Sequence, residues 1–348
     1  MTIASLKQQL TTYQKENPKA RIYNTAQDLG VSELEILELD EKQKITYLGN
    51  QYKEILPSLA PLGRVMALTR NEHAVSETKG VYDQVSFMER APMGIAHNEI
   101  IDMRYFISNW AHVYAVTATT GRGESNSLQF FDKYGTAIHK IYATTDTNLE
   151  AYHALVEKYS KTAGNRTTEI EKNKPAKSPT ASPDTIDAAA FGEEWLGMKD
   201  THDFFGLLRK HNLDRQDAFR LAPAGTTYRV EPTAIVQMLQ EAAKTELPIM
   251  VFLGNPSCLQ IFTGTVHKLF EMQDWYNVMD ENFNLHLKTN SIATAWIVKK
   301  HTSDGVVTSL ELFDEAGEHI LYCFGKRKPG IPELPEWRAL VDKLPQLS

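Results

Sequence analysis

The spacing of apolar residues between positions 195 and 222 predicts two helices joined by a tight turn. Apolar positions three and four residues apart place one stripe of the first helix toward a protein core, and this stripe comprises Phe204, Leu207, Leu208 and His211. Asp200 suits the N-cap of the first helix, and Asn212 suits a left-handed C-cap. Asp214 suits the N-cap of the second helix, which is predicted from Arg215 to Ala222.

His202 falls on the face of the first predicted helix opposite the core stripe, with Gly206 one turn further along. A glycine inside a helix costs about 1 kcal/mol relative to alanine. The open surface at Gly206 therefore indicates that something flat, such as a planar metal complex, lies beside the imidazole. A lone histidine is also a common surface or capping residue, and the pattern alone leaves both interpretations open.

The first half of the chain begins with predicted helices and continues as short alternating segments typical of strands. Helices are predicted at residues 2–16, 24–40 (a helix–turn–helix with Gly30 at the turn and Ser32 as a cap), 52–59 and 148–159. Strands are predicted at residues 64–71, 74–80, 93–98, 103–108, 112–119, 127–132 and 137–144. No segment between them is long enough for a parallel crossover, so the sheet is predicted to be antiparallel.

The second half repeats the first at a shift of about 182 residues. SLQFFDKYG at 127–135 matches SLELFDEAG at 309–317, AHVYAV at 111–116 matches ATAWIV at 293–298, and GVSELE at 30–35 falls on NLDRQD at 212–217. Arg70-Asn71 and Gly80 fall on Gly254-Asn255 and Gly264 at a shift of 184. The predicted fold is therefore α+β, with two tandem repeats that each carry helices followed by a large antiparallel meandering sheet. No histidine occurs between residues 1 and 72, so the first repeat has no counterpart of His202.

Composition changes sharply at residues 161–190, which are rich in Lys, Thr, Pro, Ser and Ala and nearly free of large apolar residues. Such composition is typical of a linker. We therefore predict an N-terminal repeat at 1–160, a linker at 161–190 and a C-terminal ligand-binding repeat at 191–348.

Charge and composition exclude several classes of function. A net charge of −7 argues against a nucleic-acid partner, and the second helix of the segment at 24–40 is rich in Glu where a DNA-reading helix needs basic or amide side chains. No signal peptide or membrane-spanning run is apparent, so we expect a soluble cytoplasmic protein without membrane insertion. Cys258 and Cys323 form neither a metal-ligand pair nor a haem-attachment sequence.

Three segments resemble the haem-utilisation family of Gram-negative bacteria, also called hemin-degrading factors or cytoplasmic haem-trafficking proteins. They are WLGMKDTHDFFGLLRKHNLDRQDAFRLA at 195–222, VFLGNPSCLQIFTGTV at 251–266 and KKHTSDGVVTSLELFDEAG at 299–317. The resemblance covers nearly the whole chain apart from residues 163–190. It implies non-covalently bound haem b, with His202 as the axial ligand of the iron through Nε2 and with Nδ1 held by a backbone carbonyl or a water.

The resemblance also implies a set of residues around the haem. In the second half they are Arg215, Lys300 and Arg327 at the propionates, and Phe324 in a wall where relatives usually have Tyr. Met198, Phe205 and Gly206 flank His202 on the helical wheel and are expected to border the ring. In the first half, Arg104 and Phe106 are implied on the distal face. Lys326 stands where relatives often have Gln, and Ser76 stands where relatives often have a second His, with His73 three residues earlier. Without the resemblance, the basic residues near 299 and 326 are better explained as a solvated sheet edge.

Three functions follow from these observations. The first is a cytoplasmic carrier that receives haem from an inner-membrane importer and passes it to a downstream acceptor or haem oxygenase. The second is an enzyme that degrades haem with oxygen and an external reductant, at the same site. The third is a helix–turn–helix regulator, which the charge disfavours. The chain has no dinucleotide fingerprint and no cysteine cluster for electron transfer, so we favour the carrier.

Overall fold

The computed structural model describes residues 3–18, 20–121, 123–164, 169–328 and 330–347 as an α+β protein. The α-helices in these ranges are α1 (Ile3–Glu16), α2 (Ile22–Leu29), α3 (Glu33–Leu39), α4 (Tyr52–Ile55), α5 (Leu149–Ala163), α6 (Ala188–Leu196), α7 (Asp203–His211), α8 (Arg215–Leu221), α9 (Ala234–Lys244) and α10 (Pro335–Val341). Residue 2, where the first helix is predicted to start, and residues 165–168 of the predicted linker lie outside the described residues.

The strands of the first half are β1 (Gln43–Tyr47), β2 (Gly63–Arg70), β3 (Ala74–Val81), β4 (Val85–Phe87), β5 (Met93–His97), β6 (Asp102–Phe106), β7 (Trp110–Thr120), β8 (Gly123–Asp132) and β9 (Ala137–Thr147). Those of the second half are β10 (Thr227–Val230), β11 (Ile249–Asn255), β12 (Cys258–Gly264), β13 (Leu269–Met272), β14 (Trp275–Met279), β15 (Phe283–Lys288), β16 (Thr294–Thr302), β17 (Gly305–Phe313) and β18 (His319–Gly325). All seven strands predicted from alternation are present.

The strands form two nine-stranded sheets. Their orders are β1-β7-β8-β9-β2-β3-β15-β14-β13 and β10-β16-β17-β18-β11-β12-β6-β5-β4. Pairing is antiparallel, and the register follows the sequence repeat: Val116 pairs with Ser127 in β7 and β8, and Val298 pairs with Ser309 in β16 and β17. The α+β fold with two tandem repeats and large antiparallel sheets is confirmed.

The turn between the two short helices has the same design in both repeats. Gly30 and Asn212, which are 182 positions apart, both adopt left-handed backbone conformations, with φ of 65° and 50°. Two residues later, the Ser32 and Asp214 side chains accept hydrogen bonds from the backbone N–H groups of Glu35 and Asp217. Such caps satisfy N–H groups that the first helical turn cannot pair internally.

Two asparagines confirm the second shift of the repeat. The Asn71 Oδ1 accepts the N–H groups of His73 and Ala74, and Asn255 Oδ1 accepts those of Ser257 and Cys258. Each asparagine fixes the start of the strand that follows it. The repeat is therefore a repeat of local hydrogen bonding as well as of sequence.

The start of α7 differs from the prediction. The helix was expected to include His202 with Asp200 as its N-cap, but it begins at Asp203, and His202 lies in the preceding turn. The Asp203 carboxylate accepts the N–H groups of Lys199 and Asp200 at 2.9 and 3.0 Å. Short acidic side chains compete for backbone N–H groups and so favour a turn over a helix. At the other end, α8 stops at Leu221 because the residue before Pro223 is driven to an extended conformation, with ψ of 150° at Ala222.

The chain folds as two compact units. Unit 1 comprises residues 1–69, 77–175 and 255–259, and unit 2 comprises residues 70–76, 176–254 and 260–348. In unit 2, an aromatic cluster fixes α6, α7 and α8 against β16 and β17, and it includes Phe191, Trp195, Phe204, Phe219, Trp296 and Phe313. Full burial of one such phenylalanine side chain contributes roughly 1.5–3 kcal/mol. The region predicted to bind the ligand thus rests on a rigid base.

The described part of the predicted linker includes the end of α5, a 3-10 turn at Pro183–Thr185 and the start of α6, and it is hydrogen-bonded to both repeats. The Glu171 N–H donates to the Lys133 carbonyl oxygen in unit 1, and the Ala181 N–H donates to the Asn212 carbonyl oxygen in unit 2, both at 2.8 Å. The predicted domain boundaries remain a prediction. Among the described helices, none combines the length and the apolar character that a membrane span requires.

Candidate functional site

The His202 imidazole is presented to solvent with only one of its two nitrogens engaged. Its side chain is 87% exposed, and its Nδ1 contacts the Asp200 carboxylate. The same carboxylate accepts the His202 backbone N–H at 2.8 Å. In the part of the chain that the structure describes, Nε2 has no hydrogen-bond partner, so it is open to a ligand.

The Asp200 carboxyl is held in its charged form by its neighbours. The His202 backbone N–H is the largest cause of the lowered pKa of Asp200, and the His202 side chain and the charge of Arg327 add to it. The side chain of Asp200 is itself 58% exposed. His202, Asp200 and Arg327 therefore belong to one electrostatic neighbourhood.

A buried ion cluster lies on the sheet beneath α7 and α8. The Glu311 carboxylate accepts from Arg215 Nε at 2.5 Å and Nη2 at 3.1 Å, from Lys300 Nζ at 3.1 Å and from Ser309 Oγ at 2.8 Å. The Glu311 side chain is fully buried, and those of Lys300 and Arg215 are only 4% and 17% exposed. Such saturation with donors is what makes a buried carboxylate tolerable.

Burial and the neighbouring charges together shift the pKa values of Glu311, Lys300 and His319. Burial raises the pKa of Glu311, but the charges of Arg215 and Lys300 outweigh it and hold that pKa well below its usual range. For Lys300, burial is the larger effect and lowers its pKa to about 8 despite the attraction of Glu311. Burial together with the nearby cations lowers the pKa of His319 to about 3. The cluster therefore carries one carboxylate against two cations, and His319 is neutral at pH 7.

Aromatic rings surround the Arg215 guanidinium. Its Cζ lies 5.1 to 5.9 Å from the ring centres of Phe204, Phe205, Phe219 and Tyr322. Of its three nitrogens, Nη1 has no polar contact within the described residues. Arg215 thus offers one free donor edge in an apolar setting, where a charge-assisted hydrogen bond to a carboxylate is strong.

An aromatic wall continues from Arg215 along β18. Tyr322 stacks on Phe252, with ring centres 4.8 Å apart, and on the other side on His319 at 4.9 Å. Phe324, on the same face as Tyr322, meets both Tyr322 and Phe252 edge to face. This wall of rings lies beside the Arg215 cation.

A family described as "Haemin-degrading HemS.ChuX domain" matches residues 30–159 and 212–344, which are the two repeats. The chain belongs to this family. The resemblance drawn from the three sequence segments is confirmed.

Members of the HemS/ChuX family resemble the chain over its full length. The hemin transport protein HmuS of Yersinia pestis is 36% identical over 341 residues, which span 98% of this chain and 97% of HmuS. Holo-PhuS, a heme-binding protein from Pseudomonas aeruginosa, is 39% identical with a TM-score of 0.93, and all of both chains is covered. The heme degrading enzyme ChuS of Escherichia coli O157:H7 is 34% identical with a TM-score of 0.88 over 99% of each chain.

The structure brings several of the predicted residues of unit 2 together. Phe205 is 51% exposed and lies next to Arg215, and a side chain at Gly206 would meet no atom within 4 Å. Both leave the outer face of α7 open for a flat group. Met198, in contrast, is 7% exposed and packs in the aromatic cluster of unit 2, so it supports the site from below.

The three predicted propionate partners differ in their surroundings. Arg215 retains a free edge, whereas the Lys300 ammonium is buried against Glu311 and 4.7 Å above the Phe204 ring. Arg327 Nη2 lies 3.3 Å from the Asp304 carboxylate, and its Nε is buried without a hydrogen bond to the described residues. Lys326 is exposed. Their roles toward a ligand remain predictions.

The predicted distal residues lie in unit 1. Arg104 Nη1 contacts the Asp102 carboxylate and donates to the Met103 carbonyl oxygen at 3.0 Å. Phe106, two residues along β6, is 37% exposed. The distal role of these two residues also remains a prediction.

Ser76 and His73, considered for a second histidine ligand, both lie at or next to β3. Ser76 is buried in β3. His73, in unit 2, directs Nε2 to the Asp314 carboxylate at 3.1 Å and is only 16% exposed. His73 is thus held by a hydrogen bond to a carboxylate of unit 2.

Sequence reasoning did not identify Glu311, His319, Tyr322 or Phe252. The internal repeat contains a signal for the first two. At a shift of 182, Arg215, Lys300, Glu311 and His319 fall on Glu33, Ala118, Gln129 and Ala137. A charge cluster that appears in one copy of a buried sheet and not in the other indicates a role beyond folding.

Haem matches this set of groups. It needs an imidazole nitrogen for its iron, flat apolar surface for its macrocycle and donors for its carboxylates. Unit 2 supplies the free His202 Nε2, the open face at Phe205 and Gly206, the Tyr322 wall and the Arg215 Nη1 edge. The residues present therefore fit the group that the family name implies.

Proposed function

We propose that this chain binds one haem b non-covalently in unit 2 and carries it in the cytoplasm as part of haem uptake. His202 would ligate the iron through Nε2, and Arg215 and Arg327 would receive the propionates. The two cysteines are buried and free, so a thioether link to the ring has no accessible partner there. When bound, haem supplies the iron and the macrocycle, and the protein supplies ligation, shape and charge.

The observation that carries this proposal is the pairing of an exposed imidazole with a buried cationic cluster in one unit. The His202 side chain is 87% exposed and keeps one ring nitrogen free, so it contributes little to the packed core. Arg215 with its aromatic surroundings is costly to bury, and the first repeat does without it. Two such features on adjoining helices α7 and α8 are explained together by one ligand that carries a metal and carboxylates.

The names of the relatives cover both transport and degradation. HmuS is a hemin transport protein and PhuS a heme-binding protein, whereas ChuS is a heme degrading enzyme. The carrier would receive haem from an inner-membrane importer and deliver it to a downstream acceptor. Degradation, with Arg104 and Phe106 on the distal side, is the second candidate.

A haem titration separates the two functions. Purified protein is titrated anaerobically and followed by absorbance, then exposed to air with an electron donor and catalase. We expect saturation near one haem per chain and a Soret band that persists. Catalase-insensitive loss of the Soret band with release of iron would establish the enzyme instead, and absence of saturable binding would reject both functions.

A further inference from the structure

The contact between His202 and Asp200 has the form that tunes metal ligands in proteins. Ligating histidines commonly donate their second ring N–H to a carboxylate or a carbonyl oxygen. The sequence alone suggested a backbone carbonyl or a water at Nδ1. The structure places the Asp200 carboxylate there, so a negatively charged group lies beside the imidazole.

The turn that holds this pair is itself hydrogen-bonded. Asp200 Oδ1 accepts both the ring Nδ1–H and the backbone N–H of His202, and its own N–H donates to Asp203 Oδ2. The ring and its carboxylate are thus anchored to the same three-residue turn before α7. This arrangement needs only side chains that are already in place before a ligand arrives.

We propose that Asp200 is a positioning residue that fixes the Nδ1–H tautomer of His202 and strengthens Nε2 as a donor to ferric iron. The inference rests on the proposed function, because it assigns a role to a neighbour of the proposed ligand. The physical basis is that a proton held on Nδ1 leaves the Nε2 lone pair free. A nearby anion stabilises the more positive, ferric state of a bound metal.

The first test uses the haem-free protein and therefore does not depend on ligand binding. The ¹⁵N chemical shifts of the His202 ring, measured where the imidazole is neutral, report which nitrogen carries the proton. We expect protonated Nδ1 in the wild type and a shift toward protonated Nε2 in Asp200→Ala. A wild type with its proton on Nε2 would overturn the assigned pair, whether or not the protein binds haem.

The second test uses the haem-bound protein and removes only the charge. Asp200→Asn keeps an oxygen that accepts the Nδ1–H, and Glu193→Gln is the control, since it removes an exposed acidic charge of unit 2 outside the turn that holds His202. We expect Asp200→Asn to reduce the preference for ferric over ferrous haem by roughly 10-fold, the scale seen for outer-shell partners of metal ligands. The iron–histidine stretching frequency of the ferrous protein should fall in parallel, and Glu193→Gln should change neither.

Outcomes of the second test are distinguishable from failure of the proposed function. Equal reduction potentials and equal stretching frequencies in Asp200→Asn and wild type would overturn the tuning role while leaving haem binding intact. No haem binding by the wild type would overturn the proposed function, and the tuning role with it. The tautomer measured in the haem-free protein would then still report whether Asp200 positions the ring.

Discussion

The Glu311 carboxylate is fully buried in β17, yet it accepts hydrogen bonds from Arg215, Lys300 and Ser309. Gln129 occupies the equivalent place in β8, where its neutral amide donates a hydrogen bond to the Ser127 hydroxyl and pairs across the sheet with Lys140 of β9. At the scale of single residues, a carboxylate in the second repeat and an amide in the first distinguish the two equivalent positions. A charge at 311 explains why two cations can be kept below the surface.

Removing the Glu311 side chain should destabilise the protein strongly. Glu311→Ala leaves Arg215 and Lys300 buried side by side, and breaking a buried ion pair costs about 3–5 kcal/mol. Gln129→Ala, at the equivalent position of β8, removes a neutral amide and should cost far less. Chemical denaturation of the two variants checks this expectation, and equal losses of unfolding free energy would show that the cluster is not an integral ion network.

The same carboxylate predicts a pH dependence. The pKa of Glu311 is lower in the folded protein than its ordinary value of 4.5, so the unfolded chain binds more protons as the pH falls below that value. The stability that Glu311 contributes is therefore complete above about pH 4.5 and is lost at lower pH. In Glu311→Gln this component is absent, so the difference in unfolding free energy between wild type and variant should shrink as the pH is lowered below 4.5. A constant difference across that range would contradict the ion cluster.

At the scale of elements, α7 buries one face and leaves the face of Phe205 and Gly206 exposed. Most of its features follow from local rules: the core stripe at Phe204 and Leu207, the left-handed Asn212 and the cap at Asp214 were all predicted and are present. Its N-terminus was predicted too early, because helical periodicity does not report that Asp203 captures backbone N–H groups of the preceding turn. That turn is what presents His202.

Gly206 allows a direct test of the open face of α7. It is helical and exposed, and an added Cβ would meet nothing within 4 Å. Gly206→Ala should therefore stabilise the haem-free protein by about 0.5–1 kcal/mol. If the macrocycle lies against this face, the same methyl group should weaken haem binding. Denaturation and haem titration of one variant check both statements, and a stabilised variant with unchanged haem affinity would place the ring elsewhere.

At the scale of the whole molecule, the repeat was readable because it recurs in residues with a backbone role, such as Gly30 and Asn212 or Asn71 and Asn255. The strand alternation predicted an antiparallel sheet, but not the order of strands within each nine-stranded sheet. Order depends on contacts distant in sequence, for which alternation carries no signal. Very short strands such as β4, with three residues, fall below the length at which alternation is visible.

The candidate site shows the same limit. His202 and Arg215 were identified from a motif, whereas Tyr322 and Phe252 were not, because their meeting depends on the antiparallel register of β11 and β18. That register pairs Phe252 directly with Tyr322. A residue pattern read along one strand cannot predict a partner across the sheet.

Haem should stabilise the whole molecule if it binds the folded state alone. At a free haem concentration of 100 times the dissociation constant, the expected gain in unfolding free energy is about 2.7 kcal/mol. The gain should be much smaller in Arg215→Ala than in the wild type at equal haem concentration, since the free Nη1 edge is lost. Thermal denaturation with and without haem measures it, and an equal gain in both proteins would remove Arg215 from the site.

The central claim is that the His202 imidazole ligates haem iron. The most direct measurement is a haem titration of His202→Ala beside His153→Ala, an exposed histidine of α5 that serves as control. We predict that His202→Ala retains its fold, because the side chain is 87% exposed, but loses the axial-ligand spectrum and binds haem much more weakly. His153→Ala should match the wild type. An unchanged Soret band and unchanged affinity in His202→Ala would contradict the account.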